Sequence, residues 1–285
     1  MEIAYIISAY QYPEHLVRLV ERLHTNTTSF FIHIDKKTNL DVYTKIVQGT
    51  KNLPGVHFLK RHLCYWGGFG HVQATLEGIH EILMRDIPFE IVILLTGQDY
   101  PIKSNEYIHG FMQKSKGKSF MNFFPLPSDQ WLDGGLQRID RWHIRLRNRH
   151  LIFPKNRNSP IKRKFPSGAQ PYGGSSYWCL TRECIEYIYK HIQEHPSFVN
   201  FFRWVDVPDE LFFQTVLLNS PLRETIINDD LRYIEWRDPE SGSPAVLGKD
   251  DLEKMMNSPK LFARKFGRMD VLDMIDCSFL SLEQR

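Results

Sequence analysis

The residues best suited to chemistry lie in the segment Trp204-Val205-Asp206-Val207-Pro208-Asp209-Glu210-Leu211-Phe212-Phe213-Gln214. Pro208 suits a first helical turn, because its φ is fixed and it has no N–H to leave unpaired. Asp209 and Glu210 then fall where the helix dipole favours negative charge, so one reading is that they are only first-turn acids. The other reading is chemical. A carboxylate flanked by Trp204, Phe212 and Phe213 is desolvated, which raises its pKa toward the range where it works as a general base.

Three further groups of polar residues follow apolar runs. They are Ser8-Ala9-Tyr10, His33-Ile34-Asp35-Lys36-Lys37 and Thr96-Gly97-Gln98-Asp99-Tyr100-Pro101. Each alone reads as turn chemistry. Together they mark the carboxyl ends of three strands, where open parallel sheets bind ligands, and a nucleotide is the ligand class they suggest.

The elements that must position these residues follow from periodicity. The run 3–9 is apolar throughout, as in a strand buried on both faces, and 29–35, 56–59 and 89–96 read as further strands. Pro13 opens a helix whose buried stripe is Leu16, Leu19, Val20 and Leu23, and 72–83 is a second helix. This alternation predicts an α/β fold with a mostly parallel central sheet and helices on both faces. A strand at 119–124 is expected next, whereas 125–177 shows no sustained period and reads as a substrate loop or lid. Thr181 is placed as an N-cap before a helix at 184–192, and a helix runs from Pro208 or Asp209 through Leu218. A short strand at 232–236 and helices at 250–256 and 269–279 complete the expectation. Neither an internal repeat nor a linker divides the 285 residues, so 1–285 reads as one domain.

Composition narrows the function classes. The chain carries 36 basic and 33 acidic residues for a net charge of +3, an ordinary balance. The distribution is uneven: no Asp or Glu falls between Asp140 and Glu183, a stretch that includes the basic run from Arg141 to Lys164. That run is a solvated face or a surface attracted to phosphates or anionic lipid. Nucleic-acid binding is disfavoured, since no recognised motif or aromatic stacking platform accompanies the charge. The four cysteines form no framework and read as free thiols of a reducing compartment. The first residues read as a strand rather than a signal peptide, and no apolar run spans a bilayer. A cytoplasmic protein is expected, with peripheral contact at the inner face of a membrane through the basic run.

Several familiar sites are absent from the sequence. There is no G-x-G-x-x-G, no G-x-x-x-x-G-K-[ST], no G-x-S-x-G, no H-E-x-x-H and no zinc-type Cys/His spacing. The D-x-D motif that holds a divalent cation in many nucleotide-sugar enzymes is missing too, so basic side chains would have to carry a diphosphate.

An ordered motif set then becomes specific. It comprises His33-Ile34-Asp35-Lys36-Lys37, Trp66-Gly67-Gly68, the run from Thr96 to Lys103, Gly174-Ser175-Ser176-Tyr177-Trp178-Cys179-Leu180-Thr181-Arg182, Pro208-Asp209-Glu210 with the run from Phe212 to Leu217, Leu231-Arg232-Tyr233 with Trp236, and Leu261-Phe262-Ala263-Arg264-Lys265-Phe266. In this order the chain resembles the core-2/I-branching enzyme family, which includes branching N-acetylglucosaminyltransferases and peptide O-xylosyltransferases. The resemblance implies an A-type glycosyltransferase fold, with a nucleotide-sugar-binding half at about 1–124 and an acceptor-binding and catalytic half at about 125–285. It implies an inverting, β-linkage-forming transferase that needs no metal or other cofactor. The donor is then a UDP-sugar, N-acetylglucosamine or xylose, and the acceptor a glycan, polysaccharide or lipid-linked saccharide. Glu210 matches the family's base, and Lys265, with Arg232 as the candidate arginine, the cations on the diphosphate. Asp35 and Trp66 are expected at the nucleotide. Gln98, Asp99, Tyr177 and Trp178 are expected at the sugar or acceptor, the aromatics through their faces. A form without the membrane anchor and disulfides of the animal members is expected, and 125–165 shows no residue-by-residue match to their acceptor region. A catalytically silent carbohydrate- or nucleotide-binding module of the same fold is the alternative.

Overall fold

The first strand, β1 (Ile3–Ala9), is buried along almost its whole length and lies near the middle of the fold. In the computed structural model, the chain is described except for residues 148, 167, 239–241 and 284–285, and the side chains of 280–283. After β1 come α1 (Pro13–Leu23), β2 (Thr28–Ile34), α2 (Leu40–Thr50), β3 (Val56–Phe58), α3 (Gly70–Met84) and β4 (Ile91–Thr96). The next stretch holds β5 (Asp99–Pro101), α4 (Asn105–Lys114), β6 (Ser119–Met121), β7 (Phe124–Pro125), β8 (Trp142–Leu146), β9 (Arg149–Phe153) and β10 (Tyr172–Gly173). The remainder is β11 (Trp178–Thr181), α5 (Arg182–Glu194), α6 (Pro196–Phe202), α7 (Phe212–Leu218), β12 (Ile226–Ile227), β13 (Arg232–Ile234), α8 (Leu252–Met256), β14 (Phe262–Arg264) and α9 (Met269–Glu283).

Seven strands form the central sheet in the order β12-β6-β11-β4-β1-β2-β3. The pairs β1–β2, β1–β4, β2–β3 and β6–β12 are parallel, whereas β11 runs antiparallel to β4 and β6. The fold is thus α/β with a mostly parallel sheet. Because β11 and β12 join strands from the first 124 residues, the sheet is built from both halves of the chain.

Strand alternation divides the core into two layers. Tyr5 and Ile7 face α1, where Leu16, Leu19, Val20 and Leu23 are wholly buried, together with Leu272 and Ile275 of α9. Ala4 and Ile6 face the other way, onto Val72, Ile79 and Ile82 of α3 and Ile185 and Ile188 of α5. Burial on both faces is why β1 and β4 read as continuous apolar runs rather than alternating ones.

Three helices escape the periodicity reading: the short α6, opened by Pro196, and α2 and α4. α2 buries only Ile46 and Thr50, and α4 only Ile108 and Met112, so neither carries a long apolar stripe. Their caps are nevertheless clear: Asn39 accepts the Val42 N–H at 2.9 Å, and Ser104 accepts that of Tyr107 at 3.2 Å. The expected strand at 119–124 is two short ones, β6 and β7. The segment 125–177 contains the β8–β9 hairpin and a turn-rich stretch at Leu132–Arg138, kinked where Asp133, Gly134 and Gly135 take positive φ. Cys64, Cys179 and Cys184 are buried thiols and Cys277 an exposed one. Among the described residues no helix is long and apolar enough to cross a membrane.

Candidate active site

Glu210 does not sit in a long helix. Pro208–Glu210 form one 3₁₀ turn, Leu211 leaves helical geometry at φ −132°, and α7 begins only at Phe212. The helix expected from Pro208 through Leu218 is therefore two pieces. The reason is packing. Every residue from Leu211 to Leu218 is buried, so this helix is enclosed on all sides and has no face on which to present an acid. The preceding turn carries the acids instead.

Val207 enters that turn at φ 49°, an unusual conformation for a β-branched residue, and surrounding contacts hold it. Its N–H donates to the Gly67 carbonyl at 3.0 Å, the Asp206 N–H to the Arg138 carbonyl at 3.0 Å, and the Gly174 N–H to the Glu210 carbonyl at 2.9 Å. Gly174 must be glycine here, since a Cβ would lie 2.0 Å from the Asn122 carbonyl oxygen.

The Glu210 side chain is 31% exposed and meets Arg138, whose Nη1 donates to Oε2 at 2.7 Å. Burial pushes the carboxyl pKa up to about 7, Asp209 pushes it further in that direction, and Arg138 pulls it down. Asp209 accepts a hydrogen bond from Ser176 Oγ at 2.9 Å. The Arg138 guanidinium stacks on Trp131, 3.8 Å from the ring centroid. Arg138 is a residue that sequence reasoning missed. It lies 72 positions from Glu210, just ahead of the basic run, and no local pattern marks it.

A second carboxylate–arginine cluster lies where β5, β14 and β13 pair side by side. The register sets Arg264 opposite Asp99, and Arg264 Nε lies 3.1 Å from Asp99 Oδ1. Asp99 is only 2% exposed and also accepts the Thr96 N–H. Burial raises its pKa, while Arg264 and Arg232 lower it. Gln98 is tied at both ends: its Nε2 donates to the Phe266 carbonyl at 3.0 Å, and its Oε1 accepts from Gln11 at 3.3 Å. Gln98 and Asp99 were expected to line the sugar site. In the structure both are buried, and their side chains brace β14 and the residues just after it, where Arg264 and Lys265 lie.

Arg232 also changes role. It is 3% exposed and donates to the carbonyls of Leu94 and Asp230, both at 2.7 Å, with the Phe262 ring 4.7 Å away. Enclosed and held by two backbone carbonyls, Arg232 shows no open face to a phosphate in this structure. Arg264 lies one strand over, its guanidinium 4.3 Å from the Tyr177 ring centroid, and is the better-placed arginine. The half-buried Lys265 follows it, with Nζ 3.2 Å from Ser243 Oγ.

The aromatic pair splits as well. Tyr177 is partly exposed beside Arg264, and the neighbouring Ser176 bonds Asp209, so this loop links the Glu210 turn to the second cluster. Trp178 is wholly buried, packed 5.6 Å from Phe213, and has no face to offer a sugar. Alternation along the chain sends successive residues to opposite sides.

Asp35, 6% exposed, caps the end of β2: it accepts the Lys37 N–H at 2.9 Å and pairs with Lys37 Nζ at 3.4 Å. Trp66 is 67% exposed, and the Arg145 guanidinium lies 5.1 Å from its ring centroid. Gly67, at φ +67°, leaves room for that guanidinium, since a Cβ would stand 2.8 Å from Arg145 Nη2. The loop carrying Trp66 reaches the Glu210 turn through the Gly67 carbonyl.

Among the described residues, His143, His150 and Asp206 bring possible metal-ligand atoms within 4.8 Å of one another. Arg145 already pairs with the same Asp206 oxygen, and the two imidazoles bond each other at 3.0 Å. A guanidinium at that carboxylate opposes a cation, so the cluster fits an internal polar network better than a metal centre.

The model of the Core-2/I-Branching enzyme family matches residues 3–256. The chain belongs to that family. It is similar to xylosyltransferase 2 of Rattus norvegicus, 26% identical over 289 residues, covering 92% of this chain and 32% of that protein. Xylosyltransferase 1 of Homo sapiens is 24% identical over 269 residues, covering 88% of this chain and 27% of that one. The chain therefore spans about a third of the length of these relatives. Among solved structures, a 4-diphosphocytidyl-2C-methyl-D-erythritol synthase from Anaerococcus prevotii overlaps with a TM-score of 0.35 at 14% identity, covering 69% of this chain and 75% of that one.

Proposed function

We propose that this family member is an inverting glycosyltransferase that moves a sugar from a UDP-sugar to a hydroxyl of a glycan acceptor. Glu210 carries the reading: a partly exposed carboxyl with its pKa near 7 is poised to accept a proton at neutral pH. The acceptor O–H proton passes to Glu210 as the oxygen bonds to the anomeric carbon. The bond from that carbon to the diphosphate breaks, and its electron pair leaves with the nucleoside diphosphate. Inversion follows from attack opposite the leaving group.

In this reading Arg264 and Lys265 meet the charge on the diphosphate, and no metal is needed. Support comes from their adjacency and from Asp99 and Gln98, which brace β14 and the residues just after it. Asp35 and Trp66 are assigned to the nucleotide, and Tyr177 to the sugar. Xylose is the first donor to try, because the similar proteins named above are xylosyltransferases, with N-acetylglucosamine second. The acceptor is proposed as a glycan or lipid-linked saccharide.

The test is Glu210→Gln assayed with radiolabelled UDP-sugars and by UDP calorimetry. Transfer should collapse while UDP binding persists. Wild-type turnover in the variant would rule out Glu210 as the base, and UDP binding without transfer by the wild type would favour a silent binding module.

A further inference from the structure

The β8–β9 hairpin is amphipathic in the reverse of the usual sense. Antiparallel pairing sets Trp142 opposite Phe153, Ile144 opposite Leu151 and Leu146 opposite Arg149, so these residues share one face. The other face carries His143, Arg145, His150 and Ile152. This face turns inward at the β8 strand, where His143 is 4% exposed and Arg145 pairs with Asp206, while His150 on β9 stays exposed. The apolar face is left in solvent, with Leu146 58%, Leu151 48% and Phe153 55% exposed. A contiguous apolar patch on a soluble surface calls for a partner.

The charge around the patch identifies that partner. Arg147, Arg149 and Lys155 are exposed at its rim, and none is ion-paired among the described residues. No acidic residue occurs between Asp140 and Glu183 to balance them. Exposed apolar and aromatic side chains flanked along the chain by unpaired cations match the interface of an anionic bilayer, which offers acyl chains beneath phosphates. A second copy of this chain fits less well, since a symmetric contact would bring the same cations together.

We propose that the outer face of the β8–β9 hairpin docks this protein on an anionic lipid surface, with Leu146, Leu151 and Phe153 entering the interface and Arg147, Arg149 and Lys155 meeting phosphates. The inner face of the same hairpin reaches Asp206, four residues before Glu210, so docking places the candidate active site close to the lipid. The proposal does not depend on the transferase reading, because lipid retention is measured without transfer.

Sedimentation with phosphatidylcholine vesicles, with and without phosphatidylglycerol, tests it. The full chain should pellet with the anionic vesicles and be released by salt. Leu151→Ser/Phe153→Ser should weaken retention by about tenfold or more, from lost apolar burial. Arg147→Glu/Arg149→Glu should weaken it by at least about fivefold per residue. Both variants should keep the wild-type melting temperature and UDP binding, since the changed side chains are exposed. Wild-type protein that stays in the supernatant with anionic vesicles would overturn the proposal, as would retention that neither variant alters. A concentration-dependent dimer lost in Leu151→Ser/Phe153→Ser would assign the face to a second copy instead.

Discussion

Two parts of this molecule use the same ingredients, a carboxylate and arginine, to different ends. Asp99 is 2% exposed and lies between the charges of Arg264 and Arg232, each anchored by strand pairing or backbone carbonyls. Glu210 keeps 31% of its side chain open, meets Arg138 alone and stands on a one-turn element outside the core. In both, burial is the largest influence and raises the pKa. What differs is the number of cations and the access to solvent. A fully enclosed carboxylate between two guanidiniums is a fastener. One that is partly open and singly paired can exchange a proton.

The strongest way to break this contrast is at the base. Glu210→Gln should lower transfer by about 10²- to 10⁴-fold with the fold intact, as read by initial rates and a thermal melt. The mirror experiment is Asp99→Ala, which leaves the largely buried Arg264 without its counter-ion at Asp99. It should cost about 3–5 kcal/mol of stability, visible as a lower urea midpoint. If Asp99→Ala proved harmless to stability but fatal to transfer, the two sites would not divide as described.

A subtler variant sharpens the comparison. The base works as the carboxylate, so kcat/KM should rise as pH increases through about 7 and then level off. Arg138 favours the ionised form. Arg138→Gln should therefore raise the Glu210 pKa and move that acidic limb upward by about one unit. A pH–rate profile that does not move would remove Arg138 from the tuning of the base. The smallest expected effect is that of EDTA, which should leave transfer unchanged if Arg264 and Lys265 carry the diphosphate. A strict requirement for added manganese would shift that role to a metal.

Much of this was legible in advance, for identifiable reasons. β1, β2 and β4 could be read because strands covered on both faces must be apolar throughout, and α1 because its stripe and Pro13 leave little choice. The hairpin β8–β9 was not legible. Its alternation runs polar inward and apolar outward, and its pattern is diluted by arginines that serve both faces. α2 and α4 escaped because few of their residues are buried, although Asn39 and Ser104 announce their starts.

The α/β class, the family and the position of the candidate base are legible along the chain, because the ordered motifs and the apolar runs are local properties of it. Only the tertiary structure decided which side chains of those motifs reach the open site. Trp178 and Tyr177 are neighbours in sequence, yet one fills the core and the other flanks Arg264. Arg232 and Arg264 lie on adjacent paired strands, yet Arg232 is held by two backbone carbonyls 5.9 Å from the Tyr177 ring while Arg264 pairs with Asp99 and lies 4.3 Å from that ring. Arg138 meets Glu210 across 72 residues. Burial and hydrogen-bond partners are set by residues distant in the chain, and these decide whether a charged group fastens the fold or faces a substrate.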